Sequence, residues 1–149
     1  MKFWKICKSI SLTVVTTAFV MTAASAGEYM SVVKDGINLR SGPDAKKEVL
    51  YQLPAGYPLE VVERKGQWLK VSDFEGDKGW IQESMVNKTP HVIVKVKECK
   101  VRSGPSNKDK VVGSGVREVI FTKVDQKGDW VKISHPDLSG WIQKDLVWP

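Results

Sequence analysis

Internal repetition constrains this chain more than any other feature it has. Asn38-Leu39-Arg40-Ser41-Gly42-Pro43 returns 62 residues later as Lys100-Val101-Arg102-Ser103-Gly104-Pro105. At the same spacing, Gly66-Gln67-Trp68-Leu69-Lys70-Val71 returns as Gly128-Asp129-Trp130-Val131-Lys132-Ile133. Gly79-Trp80-Ile81-Gln82 returns as Gly140-Trp141-Ile142-Gln143, now 61 residues later, so one residue is missing between the second and third blocks. Loops absorb such changes, and residues 72–78 against 134–139 read as a hairpin connection of variable length. The chain is a tandem duplication, and Asn87-Lys88-Thr89-Pro90-His91 is the joint: Pro90 interrupts strand pairing and suits a linker. A joint this short keeps the two units in contact.

Each unit reads as β throughout. Leu59-Glu60-Val61-Val62-Glu63, Trp68-Leu69-Lys70-Val71 and His91-Val92-Ile93-Val94-Lys95-Val96 are short, rich in β-branched residues and bounded by glycine or charge. No stretch of about 12 residues after position 26 carries a helical apolar stripe. The pattern predicts an all-β fold of two tandem small barrels with five short strands each, because closure removes aggregation-prone edges.

Residues 1–26 read as an export signal and not as part of the fold. Lys2, Lys5 and Lys8 precede an apolar run from Ile10 to Met21, too short to span a bilayer, and Ala24-Ser25-Ala26 predicts cleavage after Ala26. The expected domains are therefore 27–87 and 88–149, in a periplasmic or extracellular protein without stable membrane insertion. These 123 residues carry 20 basic and 17 acidic side chains, a balance too mild for the dense basic stripe of a nucleic-acid binder. Cys99 is the only cysteine among them, which excludes an intramolecular disulfide. It stands opposite Ile37 in the repeat, which favours a buried apolar role over pairing with another chain.

The block order Asn-Leu-Arg-Ser-Gly-Pro, Gly-x-Trp-x-Lys-Val, Gly-Trp-Ile resembles bacterial SH3-type domains, with two copies covering residues 29 to 148. The resemblance implies SH3-like barrels and a targeting or binding role in exported proteins, often on cell-wall peptidoglycan beside hydrolase domains.

The repeated motifs divide into turn chemistry and candidate contacts. Ser41-Gly42-Pro43 and Ser103-Gly104-Pro105 are turns, since glycine accepts unusual backbone angles and proline restricts the next step. The arginines before them, Arg40 and Arg102, either brace the turn through its carbonyls and a carboxylate or grip a ligand carboxylate; bracing is favoured because both copies keep the arginine. Alternation sends Leu69 and Val71 inward and Trp68 and Lys70 outward, with Val131, Ile133, Trp130 and Lys132 repeating the arrangement. Ile81 and Ile142 point inward, leaving Trp80 and Trp141, like Trp68 and Trp130, to cap a barrel or line a groove.

The copies diverge elsewhere. Tyr51 and Tyr57 face Gly113 and Val119, and Leu53-Pro54-Ala55-Gly56 becomes Gly115-Val116-Arg117-Glu118. Aromatics at a rim stack on sugars and contact peptides, so the expected ligand site is Arg40, Tyr51, Tyr57, Trp68 and Trp80 of the first unit. Residues 27–87 hold 8 basic and 10 acidic side chains and residues 88–149 hold 12 and 7, so the second unit offers Lys100, Arg102, Lys108 and Lys110 to an acidic partner.

Catalysis requires a nucleophile beside a base, paired carboxylates or a metal cluster. The sequence offers His91, His135 and Cys99 without zinc spacing or a phosphate loop, and predicts no catalytic residues, no metal site and no cofactor. The expectation is a non-enzymatic binding module for peptidoglycan or another cell-envelope ligand. The alternative is a protein-interaction or structural adaptor in the envelope.

Overall fold

A computed structural model describes residues 27–149; the proposed signal peptide lies outside them. Two antiparallel sheets follow one another along the chain. The first contains β1 (Glu28–Val32), β2 (Ile37–Arg40), β3 (Val49–Leu53), β4 (Pro58–Lys65), β5 (Trp68–Ser72), β6 (Lys78–Gln82) and β7 (Val86–Asn87), with a 3-10 turn over Glu83–Met85. The second contains β8 (His91–Val94), β9 (Glu98–Arg102), β10 (Val111–Val116), β11 (Ile120–Lys127), β12 (Trp130–His135), β13 (Leu138–Gln143) and β14 (Val147–Trp148), with a 3-10 turn over Lys144–Leu146. The orders β3-β2-β6-β5-β4-β1-β7 and β10-β9-β13-β12-β11-β8-β14 are the same arrangement twice.

Seven strands per sheet, and not five, is a correction to the sequence reading. β7 and β14 are only two residues long and expose no alternation to be read, and they are strands only because β1 and β8 receive them. No helix among the described residues is long and apolar enough to cross a membrane.

Alternation decides the interior. Leu69, Val71 and Ile81 are buried with Leu39 and Leu59 in the first core. Val131, Ile133 and Ile142 are buried with Val101 and Phe121 in the second. Cys99 joins the second core at 3% exposure, and burial pushes its thiol pKa up. Gly66 and Gly128 adopt positive φ (58° and 54°) at the first position of the two-residue β4–β5 and β11–β12 connections, where a type II′ hairpin takes glycine. Each long strand is then bulged once, between Val61 and Glu63 and between Lys123 and Asp125. A bulge bends and twists its strand, letting β4 pair with β5 at one end and β1 at the other.

Candidate functional site

The outer faces of β2, β6 and β5 meet in a row of aligned side chains. Arg40 lies opposite Trp80, Trp80 opposite Lys70, and Gln82 opposite Trp68. Directly opposed residues on antiparallel strands project to the same face, so the row continues outward from a shared backbone. Beside it opens a notch of about 250 Å3 lined by Asn38, Arg40, Trp68, Gln82 and Met85. The second domain repeats it: Arg102 lies opposite Trp141, Trp141 opposite Lys132, and Gln143 opposite Trp130. A notch of about 210 Å3 there is lined by Lys100, Arg102, Trp130, Gln143 and Leu146. These residues occupy the repeat-equivalent positions, so the duplication copied a concave site as well as a core.

The arginine of each notch is held in place. Arg40 Nη1 donates to the Lys47 carbonyl at 2.9 Å, and Arg102 Nη1 donates to the Asp109 carbonyl at 2.9 Å. The carboxylate expected to share the bracing is not there: neither guanidinium forms an ion pair among the described residues. A guanidinium has five N–H donors, and one brace leaves most of the fork open to a ligand oxygen. The two tryptophan pairs serve different ends. Trp68 and Trp130 are half-buried and line the notches. Trp80 carries Lys70 Nζ at 6.0 Å from its ring centroid, and Trp141, 7% exposed, carries Lys127 and Lys132 at 5.7 and 5.9 Å. Their faces are covered by the protein's own ammonium groups through cation–π contact.

The expected aromatic rim is not one surface. Arg40 and Trp68 share the first notch; Trp80, opposite Arg40, does not line it. Tyr51 is 52% exposed on β3, the edge strand, and does not line the notch. Tyr57 is half-buried at the meeting of the two domains, its ring tilted 55° against Phe74 at 6.5 Å and its hydroxyl 3.5 Å from Asp73 Oδ2. Burial, then the charges of Asp73, Glu118 and Glu75, push the Tyr57 phenol pKa well above its ordinary value. Of the basic set, Lys100 and Arg102 belong to the second notch, whereas Lys108 and Lys110 are exposed on the loop that Arg102 braces. The rim is not one unit because Tyr57 packs against Phe74, which lies under Arg117 of the other domain.

Arg117 is the residue that sequence reasoning missed. Its Nη2 donates to Glu75 Oε1 at 2.6 Å, its guanidinium carbon lies 5.2 Å from the Phe74 ring centroid, and its Nη1 donates to the Lys95 carbonyl. The signal was present in the divergence of the repeats, since Arg117 replaces Ala55 and the Phe74–Glu75 loop is the one that differs in length. On another side of the joint, Tyr29 packs edge-on against Trp148 at 5.4 Å, and Ser31 Oγ donates to the Thr89 carbonyl at 2.8 Å. His91 and His135 line a cleft of about 460 Å3 between the domains together with Ser134. Cys99 does not line it.

Comparison with family models decides the class of these sheets. Residues 33–88 and 97–147 each match a model described as a bacterial SH3 domain. The chain belongs to the bacterial SH3 domain family. Its two SH3 domains also match larger proteins. One is the Bacillus subtilis (strain 168) protein provisionally named N-acetylmuramoyl-L-alanine amidase YrvJ, 23% identical over 140 residues, covering 87% of this chain and 27% of that protein. Another is the Staphylococcus epidermidis protein provisionally named cell wall amidase LytH, 34% identical over 50 residues, 33% of this chain and 17% of that protein. The tandem SH3 chain thus spans about a quarter or less of these relatives. Among solved structures, it matches NlpC2 from Trichomonas vaginalis with a TM-score of 0.37 and 16% identity, over 85% of this chain and 49% of that one. It matches an NlpC/P60 family protein from Bacillus cereus with a TM-score of 0.39 and 16% identity, over 81% and 56%. Both likenesses are too distant in overall shape to bear on function.

These relatives correct the expectation of a protein outside enzymology. The proteins that the SH3 domains match are named amidases, which points towards an enzyme, although the matches cover only the SH3 region.

Proposed function

We propose that the two SH3 domains hold peptidoglycan through their twin notches and serve the kind of cell-wall amidase chemistry for which the relatives are named. The observation that carries this reading is the recurrence of one built site. A carbonyl-braced arginine, a half-buried tryptophan and a glutamine occupy equivalent places in both domains, while much of the surface around them diverged. Tryptophan offers a flat apolar face to sugar rings or peptide, glutamine both donates and accepts, and the free part of the guanidinium fork suits the carboxylates of wall peptides. Two notches on one chain raise retention on a repeating polymer beyond either alone. The export signal read at residues 1–26 accords with a wall ligand and with an envelope location.

Retention on purified sacculi tests this. Trp68→Ala and Trp130→Ala should each weaken binding, and the double variant should lose it by roughly tenfold or more, as expected for removal of two aromatic platforms. Both tryptophans lie on the outer faces, so circular dichroism should show folded protein. Failure of the wild type to bind at low salt, or undiminished binding by the folded double variant, refutes the proposal.

A further inference from the structure

We propose that the joint between the two domains is a second binding site, for an oxyanion carried on an extended polymer. It lies apart from the notches and does not rest on their function. A cleft of about 440 Å3 opens there between β1, the joint and the second domain, and Lys88, Lys123 and Lys144 all line it. No acidic side chain lines it, so the α-carboxylate of Pro149, which also lines the cleft, stands against three ammonium groups, and none of the three lysines forms an ion pair among the described residues. Lys123 Nζ donates to a neutral group, Gln126 Oε1, at 2.8 Å.

The first domain shows what this place holds when it is self-sufficient. There Arg64 sits between Glu28 and Glu83, with Nη2 2.6 Å from Glu28 Oε1 and Nη1 2.5 Å from Glu83 Oε1. The repeat carries Glu28 onto Pro90, Arg64 onto Gln126 and Glu83 onto Lys144, and brings Lys123 in where Val61 stood. The second domain has therefore lost both acids of the triad and gained ammonium groups in the same region. Like charges gathered on one concave surface repel one another until a counter-charge enters, and a cleft focuses their field on an incoming anion.

The walls are built before any ligand arrives. The Lys123 amide donates to the Pro90 carbonyl at 2.9 Å, and Ser31 Oγ donates to the Thr89 carbonyl at 2.8 Å, tying the joint to both domains. Tyr29 lines the cleft and is packed against Trp148. The volume exceeds that of one small anion, and flexible lysines act as point charges without bidentate geometry, which suits a chain of phosphate or carboxylate groups over a single shape-matched ion.

The test is calorimetric titration of the protein at low salt with three probes: inorganic phosphate, short-chain polyphosphate and poly-glutamate. Polyphosphate or poly-glutamate should bind more tightly than inorganic phosphate, and the tighter of the two identifies the source of the oxyanion. Lys88→Gln combined with Lys144→Gln should weaken binding by about tenfold and flatten its salt dependence. Gln126→Arg with Lys144→Glu, which rebuilds an internal pair as in the first domain, should also weaken binding in a folded protein, because the new carboxylate competes with the ligand for the cations that remain. Lys108→Gln with Lys110→Gln should leave it unchanged, as should Trp68→Ala with Trp130→Ala, which separates this site from the notches. Absence of binding to both polymers, or an equal loss on removing Lys108 and Lys110, overturns the proposal.

Discussion

Replacing Arg117 by alanine removes a contact that joins the two domains, and its size can be worked out from the structure. The Arg117–Glu75 pair is close, at 2.6 Å, but its side chains are 46% and 45% exposed. Solvent screening holds such a pair to about 0.2–1 kcal/mol. The guanidinium also lies 5.2 Å from the Phe74 ring centroid, a cation–π contact worth about 0.5–1 kcal/mol at an exposed site. Together they supply about 0.7–2 kcal/mol, enough to change the ratio of docked to undocked domains roughly three- to thirtyfold. Thermal unfolding of Arg117→Ala, Glu75→Ala, Phe74→Ala and the two doubles gives two cycles that separate these terms from the hydrogen bond Arg117 makes within its own domain to Lys95. The Arg117/Glu75 coupling should fall as salt is raised from about 0.1 M to about 1 M, where the Debye length shrinks from roughly 10 to 3 Å. The Arg117/Phe74 coupling should fall less, because the ring shields one side of the guanidinium. Zero coupling in both cycles at low salt, or coupling above about 3 kcal/mol in either, refutes this account of the domain contact.

Two further outcomes follow from the same region. Glu118 has φ of 71° where the first domain has Gly56 at 77°, so Glu118→Gly should raise stability by about 0.5–1 kcal/mol in a denaturant titration, and a loss would show that the left-handed backbone is not strained. The Tyr57 phenol has its pKa raised in the folded state by burial and by Asp73, Glu118 and Glu75, so its contribution to stability is complete below its unfolded value near 10 and is lost as pH rises beyond it. Tyr57→Phe should therefore flatten the decline of the denaturation midpoint above about pH 10; an unchanged decline would remove Tyr57 as its source.

Divergence between the repeats proved as informative as agreement. The absence of Tyr51 and Tyr57 from the second copy reads in the sequence as the loss of a ligand rim. In the structure Tyr57 packs at the seam against Phe74 and Tyr51 stands exposed on the edge strand, and Arg117, Glu118 and Lys144 are the second copy's own departures around the seam and the cleft. A duplicated unit must treat its two neighbours differently, because one copy meets the joint from the C-terminal side and the other from the N-terminal side.

Repetition and alternation are local properties, and they sufficed to establish two β units, the inward set Leu69, Val71, Val131 and Ile133, and the turns beside Arg40 and Arg102. They also placed Trp68 and Trp130 outside the cores. What they could not determine is which outward residues become neighbours, because that depends on strand order: β2 pairs with β6 across 40 residues of chain, and only this pairing sets Arg40 beside Trp80. Docking of the domains decided the rest. Glu75 meets Arg117 across 42 residues, and Lys88, Lys123 and Lys144 converge on one cleft, through contacts that no period in the chain encodes.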